Sequence, residues 1–282
     1  MRWCLLLNIY FESDKEVIHF CEHLFRYNKQ VELKWKTNED WGNHLYFDEE
    51  NVNQESIQAM GKAMVDVFIA FRLSNEIKKL VMEKYYYTNY DEIDEILEHT
   101  FLVLKEGHSQ VGYGTRPTQL LLSLFIENIT NVSVVHFDSI VKFRLNIFKE
   151  QLLDYIGLAI DEVKQEKEHQ SFVEMLRTYI LKKKSTFNEI HVVQGVNFTF
   201  FRSNGKQFST LELRHLMYQE PLYIVGLDAN ELNLAPLIAI APQKIYIYGD
   251  NPSEPKTLTV INVFQERVYF ESLSHFPFPQ SL

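Results

Sequence analysis

The sequence predicts an α+β fold: an N-terminal αβ unit, a helical middle with long central helices, and a C-terminal αβ unit holding a small antiparallel meander and a strand-helix-strand. Three observations carry this. Residues 138–184 hold apolar side chains at helical spacing. After Lys184 the period changes from helical to alternating. Near the N-terminus, Val31-Glu32-Leu33-Lys34-Trp35 alternates and is followed by a turn containing Gly42, with 44–47 returning as the second strand of a hairpin.

The central stretch is the most informative. Val141, Leu145, Phe148, Leu152, Tyr155, Ala159 and Val163 recur every three or four residues, and Ile140, Ile147, Ile156 and Ile160 widen the face. A stripe this broad belongs to a helix buried against several neighbours, at about 1.5–3 kcal/mol per fully buried large side chain. Gly157 costs about 1 kcal/mol inside a helix, which predicts the close approach of another backbone. The stripe stops at Lys164-Gln165-Glu166-Lys167-Glu168-His169-Gln170, and Ser171-Phe172-Val173-Glu174 has the spacing of a capping box. Two helices with a break near 167–171 are expected, the second ending in Lys182-Lys183-Lys184 as a solvated, dipole-favoured end.

In chain order, residues 3–11 read as a buried strand and 14–27 as an amphipathic helix. Helices at roughly 53–73, 75–87 and 90–105 follow, then the loop 107–117, then a helix over 117–129; 131–137 is a strand or an extended link. Beyond the central helices, 189–193 and 197–202 are strands, and Asn204-Gly205 turns the chain into 206–209. A short helix is expected over 211–219. Asp228 opens another that ends at Ala241, and Pro236 within it marks a kink or its true start. Lys244–Tyr248, Pro255–Phe264 and 267–270 make a parallel strand-helix-strand, and the tail with Pro277 and Pro279 is expected to be loose. The corresponding segments are 1–105, 106–185 and 186–282.

The chain has 282 residues, 46% hydrophobic, enough for a sizeable core. A net charge of −10 argues against a general phosphate-binding surface. Two cysteines, Cys4 and Cys21, make neither a disulfide framework nor a four-thiolate metal site and fit a reducing cytoplasm. The apolar opening lacks a small-residue cleavage site, and no later segment approaches the roughly 20 apolar residues of a membrane span. The expectation is a soluble cytoplasmic protein without a cofactor.

Several stretches resemble the YtxC-like family of sporulation-associated proteins from spore-forming Firmicutes. They are Phe143-Arg144-Leu145; Asp161-Glu162; Glu166-Lys167-Glu168 with Phe172-Val173 and Leu176; Glu189-Ile190-His191-Val192-Val193; and Leu237-Ile238-Ala239-Ile240-Ala241-Pro242 running into Lys244-Ile245. The likeness covers about residues 138–270, and Pro236 departs from it. It implies a sporulation context in a Bacillus-like cell, with no established catalytic residues to carry over.

Three patterns could carry chemistry. His19-Phe20-Cys21-Glu22-His23 fits H-x-x-E-H, in which two histidines one helical turn apart hold zinc and Glu22 activates water; a third ligand would have to come from a residue such as Glu95, Glu98 or His99. The ordinary alternative is two histidines on the polar flank of a helix. The 107–117 loop has glycines and Arg116 ahead of a helix, a context for an anion, but lacks the Lys-Ser/Thr of a P-loop. Lys78, Lys79, Lys84, Tyr85 and Tyr86 mix cations and rings as single-stranded nucleic-acid sites do, and Lys142 and Arg144 pose the same question. The acidic run after Tyr90 opposes that reading, so a protein-binding patch or tyrosines packed at a junction is preferred, and Arg144 is expected to be a partly buried arginine paired with an acid. His191, between apolar strand residues, reads as a satisfied core histidine. A non-enzymatic factor that binds another protein is the leading expectation, a nucleic-acid-associated factor the alternative, and a metal-dependent hydrolase the third.

Overall fold

The structure, a computed structural model, describes residues 7–38, 42–48, 52–106, 116–130, 132–185, 187–228 and 230–279. The chain divides into two compact units, Met1–Lys164 and Gln165–Leu282, each of which mixes helices with a four-stranded sheet. This is the expected α+β class.

The first unit runs β1 (Leu7–Phe11), α1 (Asp14–Tyr27), β2 (Lys34–Asn38), β3 (Gly42–Phe47), α2 (Gln54–Phe71), α3 (Leu73–Lys84), α4 (Tyr90–Glu106), α5 (Pro117–Ile129), β4 (Val134–His136) and α6 (Phe137–Phe143), and then enters α7 (Asn146–Lys182). Its sheet has the order β2-β3-β1-β4. β3 pairs antiparallel with β1 and β2, and β4 parallel with β1. Alternation sends Leu7, Ile9, Phe11, Leu45, Phe47 and Val135 into the core. There they share one apolar cluster with Phe20 of α1, Phe68 of α2, Phe125 of α5 and the first half of α7.

The second unit holds the rest of α7, β5 (Glu189–Val193), β6 (Thr199–Arg202), α8 (Thr210–Tyr218), a 3₁₀ turn at Leu222–Val225, α9 (Leu234–Ile240), β7 (Lys244–Tyr248), α10 (Pro255–Phe264) and β8 (Val268–Glu271). The sheet order is β6-β5-β7-β8, with β5, β7 and β8 parallel and β6 antiparallel to β5. Ile190, Val192, Phe200, Ile245 and Ile247 face a separate apolar cluster with α9 and α10.

Several expectations are corrected. The central stretch breaks at Arg144-Leu145, between α6 and α7, and α7 then runs unbroken through 167–171. Lys164–Gln170 are all exposed, but Lys, Gln and Glu are good helix formers, so they make about two solvated helical turns and not a break. Ser171 sits mid-helix and caps nothing. Gly157 makes room for a side chain: a Cβ there would lie 3.1 Å from the Tyr85 hydroxyl, which donates to the Leu153 carbonyl at 2.8 Å. In the N-terminal hairpin the first strand starts at Lys34, not Val31.

Residues 206–209 make a single bridge, Phe201 to Gln207, because Ser209 is already the cap of α8. Helix α9 starts at Leu234, where the Glu231 carboxylate accepts from the amides of Asn233, Leu234 and Ala235 at 2.6–2.8 Å; Pro236, in this first turn, has no N–H to satisfy. The tail is packed: Phe276 meets Phe201 and Tyr248, and Phe278 meets His191 at 5.0 Å between ring centroids. Gly205, at φ +78°, turns the hairpin, and a Cβ there would strike the Phe278 ring at 2.6 Å.

Candidate interaction surface

In the first unit the H-x-x-E-H residues stand on α1. The His19 and His23 rings stack at 4.3 Å, His19 also meets Phe71 edge-on, and Glu22 is exposed. His23 Nδ1 lies 2.7 Å from Asp66 Oδ2, an oxygen that also accepts from the Tyr27 hydroxyl at 2.7 Å. Among the described residues no group of three His, Cys, Asp or Glu side chains is placed to hold a metal. His99 faces Glu162 across 3.9 Å. Cys21 is half-buried, and burial pushes its thiol up to about 11, which suits an inert packing residue.

The basic-aromatic residues stand on α3 and just beyond its end, at the cap of α5 and at the end of α6. Lys78 Nζ pairs with Asp94, while Lys79 and Lys84 are exposed. Tyr85 turns inward onto Leu153, and Tyr86 is 82% exposed. Lys142 and Arg144 are exposed at the end of α6, and Arg116 is exposed at the cap of α5; the residues 107–115 before it lie outside the described ones. A partly buried arginine paired with acids exists, but it is Arg72. Its Nε and one terminal nitrogen bond the Glu16 carboxylate, and that terminal nitrogen lies 2.7 Å from Asp138 Oδ1. Of the terminal lysine run, Lys183 is mostly buried: it pairs with Glu220 at 2.8 Å and donates to the Ala239 carbonyl.

The first sheet also carries a ladder that sequence reasoning did not single out. Tyr10 is stacked between His44 and His136, at 4.0 and 4.6 Å, and His44 is 3.6 Å from Tyr46. The rings cover one another, so few faces are left on which a base could stack, and cross-strand stabilisation is the better account.

The surface that stands out lies in the second unit. Helix α8 opens with a complete capping box: Ser209 Oγ accepts from the Glu212 amide at 3.2 Å, and the Glu212 carboxylate accepts from the Ser209 amide at 2.8 Å. The Ser209 amide first, and then Arg202 at 3.0 Å, hold the Glu212 carboxyl down at about 2. Leu213 and Met217 face the core. Leu211 and Tyr218, seven residues apart on another face, are 78% and 74% exposed. The 3₁₀ turn that follows ends at Gly226, in the left-handed region at φ +70°, and leaves Tyr223 and Ile224 at 79% and 61% exposed.

Tyr218, Gln219, Pro221, Tyr223 and Asp228 line an open groove here. Its base is braced by Glu220, which takes a bond from the Tyr179 hydroxyl at 3.0 Å as well as the Lys183 pair. Burial and this bond push the Tyr179 phenol up to about 12. The signal in the sequence is an amphipathic pattern that fails on its polar side: Leu211 and Tyr218 stand where a surface helix normally carries charge.

Among the described residues no helix is long and apolar enough to cross a membrane. No solved structure matches the chain. Over 216 residues it is 29% identical to a Bacillus subtilis (strain 168) protein named "Uncharacterized protein YtxC", a match that spans 74% of this chain and 75% of that one. The pattern of the YtxC-like family matches residues 58–269, from within α2 into β8, and so takes in most of α2 and α3–α5 ahead of the stretches that carried the resemblance. The chain therefore belongs to the YtxC-like family.

Proposed function

We propose that this protein is a sporulation-associated, cytoplasmic, non-enzymatic factor that binds another protein through the α8 and 3₁₀ surface of its second unit. One observation carries the reading: Tyr218 and Tyr223, 74% and 79% exposed, both line a groove whose backbone is fixed by a left-handed glycine and the Glu220 brace, while Leu211 and Ile224 are exposed on the same α8 and 3₁₀ elements. Isolated exposed apolar residues are ordinary, but clustered ones beside a groove mark interaction sites, and tyrosine is favoured there because it offers a large contact area at little entropic cost. The sporulation setting is what the resemblance of residues 138–270 implies, and it is part of the proposal.

The test is a photo-crosslinking amino acid at Ile224, expressed from the native locus in a sporulating Bacillus culture. A discrete adduct is expected. The double variant Tyr218→Ala, Tyr223→Ala should remove it, since loss of an interface anchor costs about 2 kcal/mol or more, roughly thirtyfold in affinity. Tyr86→Ala, at an exposed ring of the first unit, should leave it intact. An adduct that survives the double variant at unchanged thermal stability sinks the proposal.

A further inference from the structure

The first unit contains a cavity of about 350 Å³, at the small end of the range for small-molecule sites. Its lining comes from α2, α3, α4, α5 and α7. Leu73, Leu121 and Phe148 are core residues, each exposed by 5% or less, and they give it an apolar floor. Ile69, Phe101 and Leu104 form apolar walls. Two cations complete the lining, Lys105 in the last turn of α4 and Arg116 at the cap of α5. Among the described residues neither side chain has an ion-pair partner.

We propose that this cavity binds a single-chain fatty carboxylate of medium length. An apolar body is driven in by removal of its surface from water, and its head must carry negative charge to meet Lys105 and Arg116. The cavity is too small for a lipid with two acyl chains. A strongly hydrated anion such as inorganic phosphate would leave the apolar walls unused and would gain nothing from desolvation. The site lies outside the second unit, and the proposal does not depend on the protein-binding surface there.

The experiment is titration calorimetry of the whole protein with sodium hexanoate, octanoate and decanoate and with decanol, all below their aggregation limits. Decanoate should bind, and affinity should rise about fourfold per methylene along the series. The double variant Lys105→Ala, Arg116→Ala, at two solvent-facing positions, should weaken decanoate at least tenfold and leave decanol unchanged. Ile69→Trp, at a half-open wall position, should fill the cavity and remove binding of both. Three results each overturn the proposal: no decanoate binding at millimolar concentration, equal binding of decanoate and decanol that is unmoved by the double variant, or full decanoate affinity in Ile69→Trp.

Discussion

At the residue scale, Glu16 is the one fully buried carboxylate among the described residues. Its side chain is only 4% exposed, and Arg72 supplies two donors to it. The same guanidinium reaches Asp138, whose other oxygen accepts from the Glu12 amide at 3.3 Å, so one arginine ties α1, the α2–α3 corner and α6 together. Removing one partner of a buried pair leaves an uncompensated charge and costs about 3–5 kcal/mol, whereas replacing the whole group with apolar residues is often nearly neutral. Arg72→Met should therefore lower the urea-unfolding free energy of the first unit by about that amount, and adding Glu16→Leu with Asp138→Leu should recover part of it. A loss below about 1 kcal/mol for Arg72→Met would show that the network is solvated and weak. The sequence did not point to Arg72. Arg144 stood in a recognisable stretch and drew the attention, whereas Glu16, Arg72 and Asp138 are far apart in the chain and meet only through the fold.

At the element scale the two sheets share a device, a histidine stacked on tyrosines. His44 lies in the ladder of the first sheet; His191 of the second stacks on Tyr246 and Tyr248, with Nδ1 3.0 Å from the Tyr248 hydroxyl. Burial holds both imidazoles below their ordinary value; the positive charges of Lys36 and His136 add to this for His44, while Glu189 opposes it for His191. A depressed folded-state pKa means that the unfolded chain binds more protons in the window below the ordinary value of 6.5. The stability from the neutral rings is thus complete above that value and is lost as pH falls toward the folded pKa. Melting temperature should drop between about pH 7 and pH 5, and His44→Gln with His191→Gln should flatten that slope; an unchanged slope would assign it to other groups.

Helix α7 gives a second test at this scale. A real cap at Ser171 would make Ser171→Ala cost about 1 kcal/mol. Within a continuous helix the same change should stabilise slightly, by about 0.5 kcal/mol, because alanine is the better helix former. Most element positions were legible because they are written in local periodicity: α1, α10, β5 and β7 fall where the pattern put them. The misplaced break in α7 came from equating loss of the apolar stripe with loss of helix. The groove beside α8 is not written in that periodicity, because the buried stripe of Leu213 and Met217 defines the helix while Leu211 and Tyr218 lie off it.

At the scale of the whole molecule, the two large apolar clusters among the described residues are built from different residues, with a small third one at Val103, Tyr155 and Ala159. One comprises side chains up to Val163, and the other begins at Val173. The intervening two turns of α7, Lys164–Gln170, contribute no buried side chain to either. A chain with two separate cores need not unfold as one cooperative block, because a defect in one core changes the exposed area of its own unit. Phe125→Ala should therefore destabilise the first unit and Ile245→Ala the second, both positions being 0% exposed, by about 2–5 kcal/mol each. For units of this size that amounts to roughly 5–15 °C in the affected transition. Calorimetry of the intact chain should resolve two transitions, with Phe125→Ala moving one and Ile245→Ala the other, and the double variant should equal the sum of the singles. A single peak shifted by either substitution would mean that the continuous helix couples the two cores energetically. In that case a ligand bound in the first unit's cavity would also raise the melting temperature of the second unit, since stabilising one half of a cooperative block stabilises the whole.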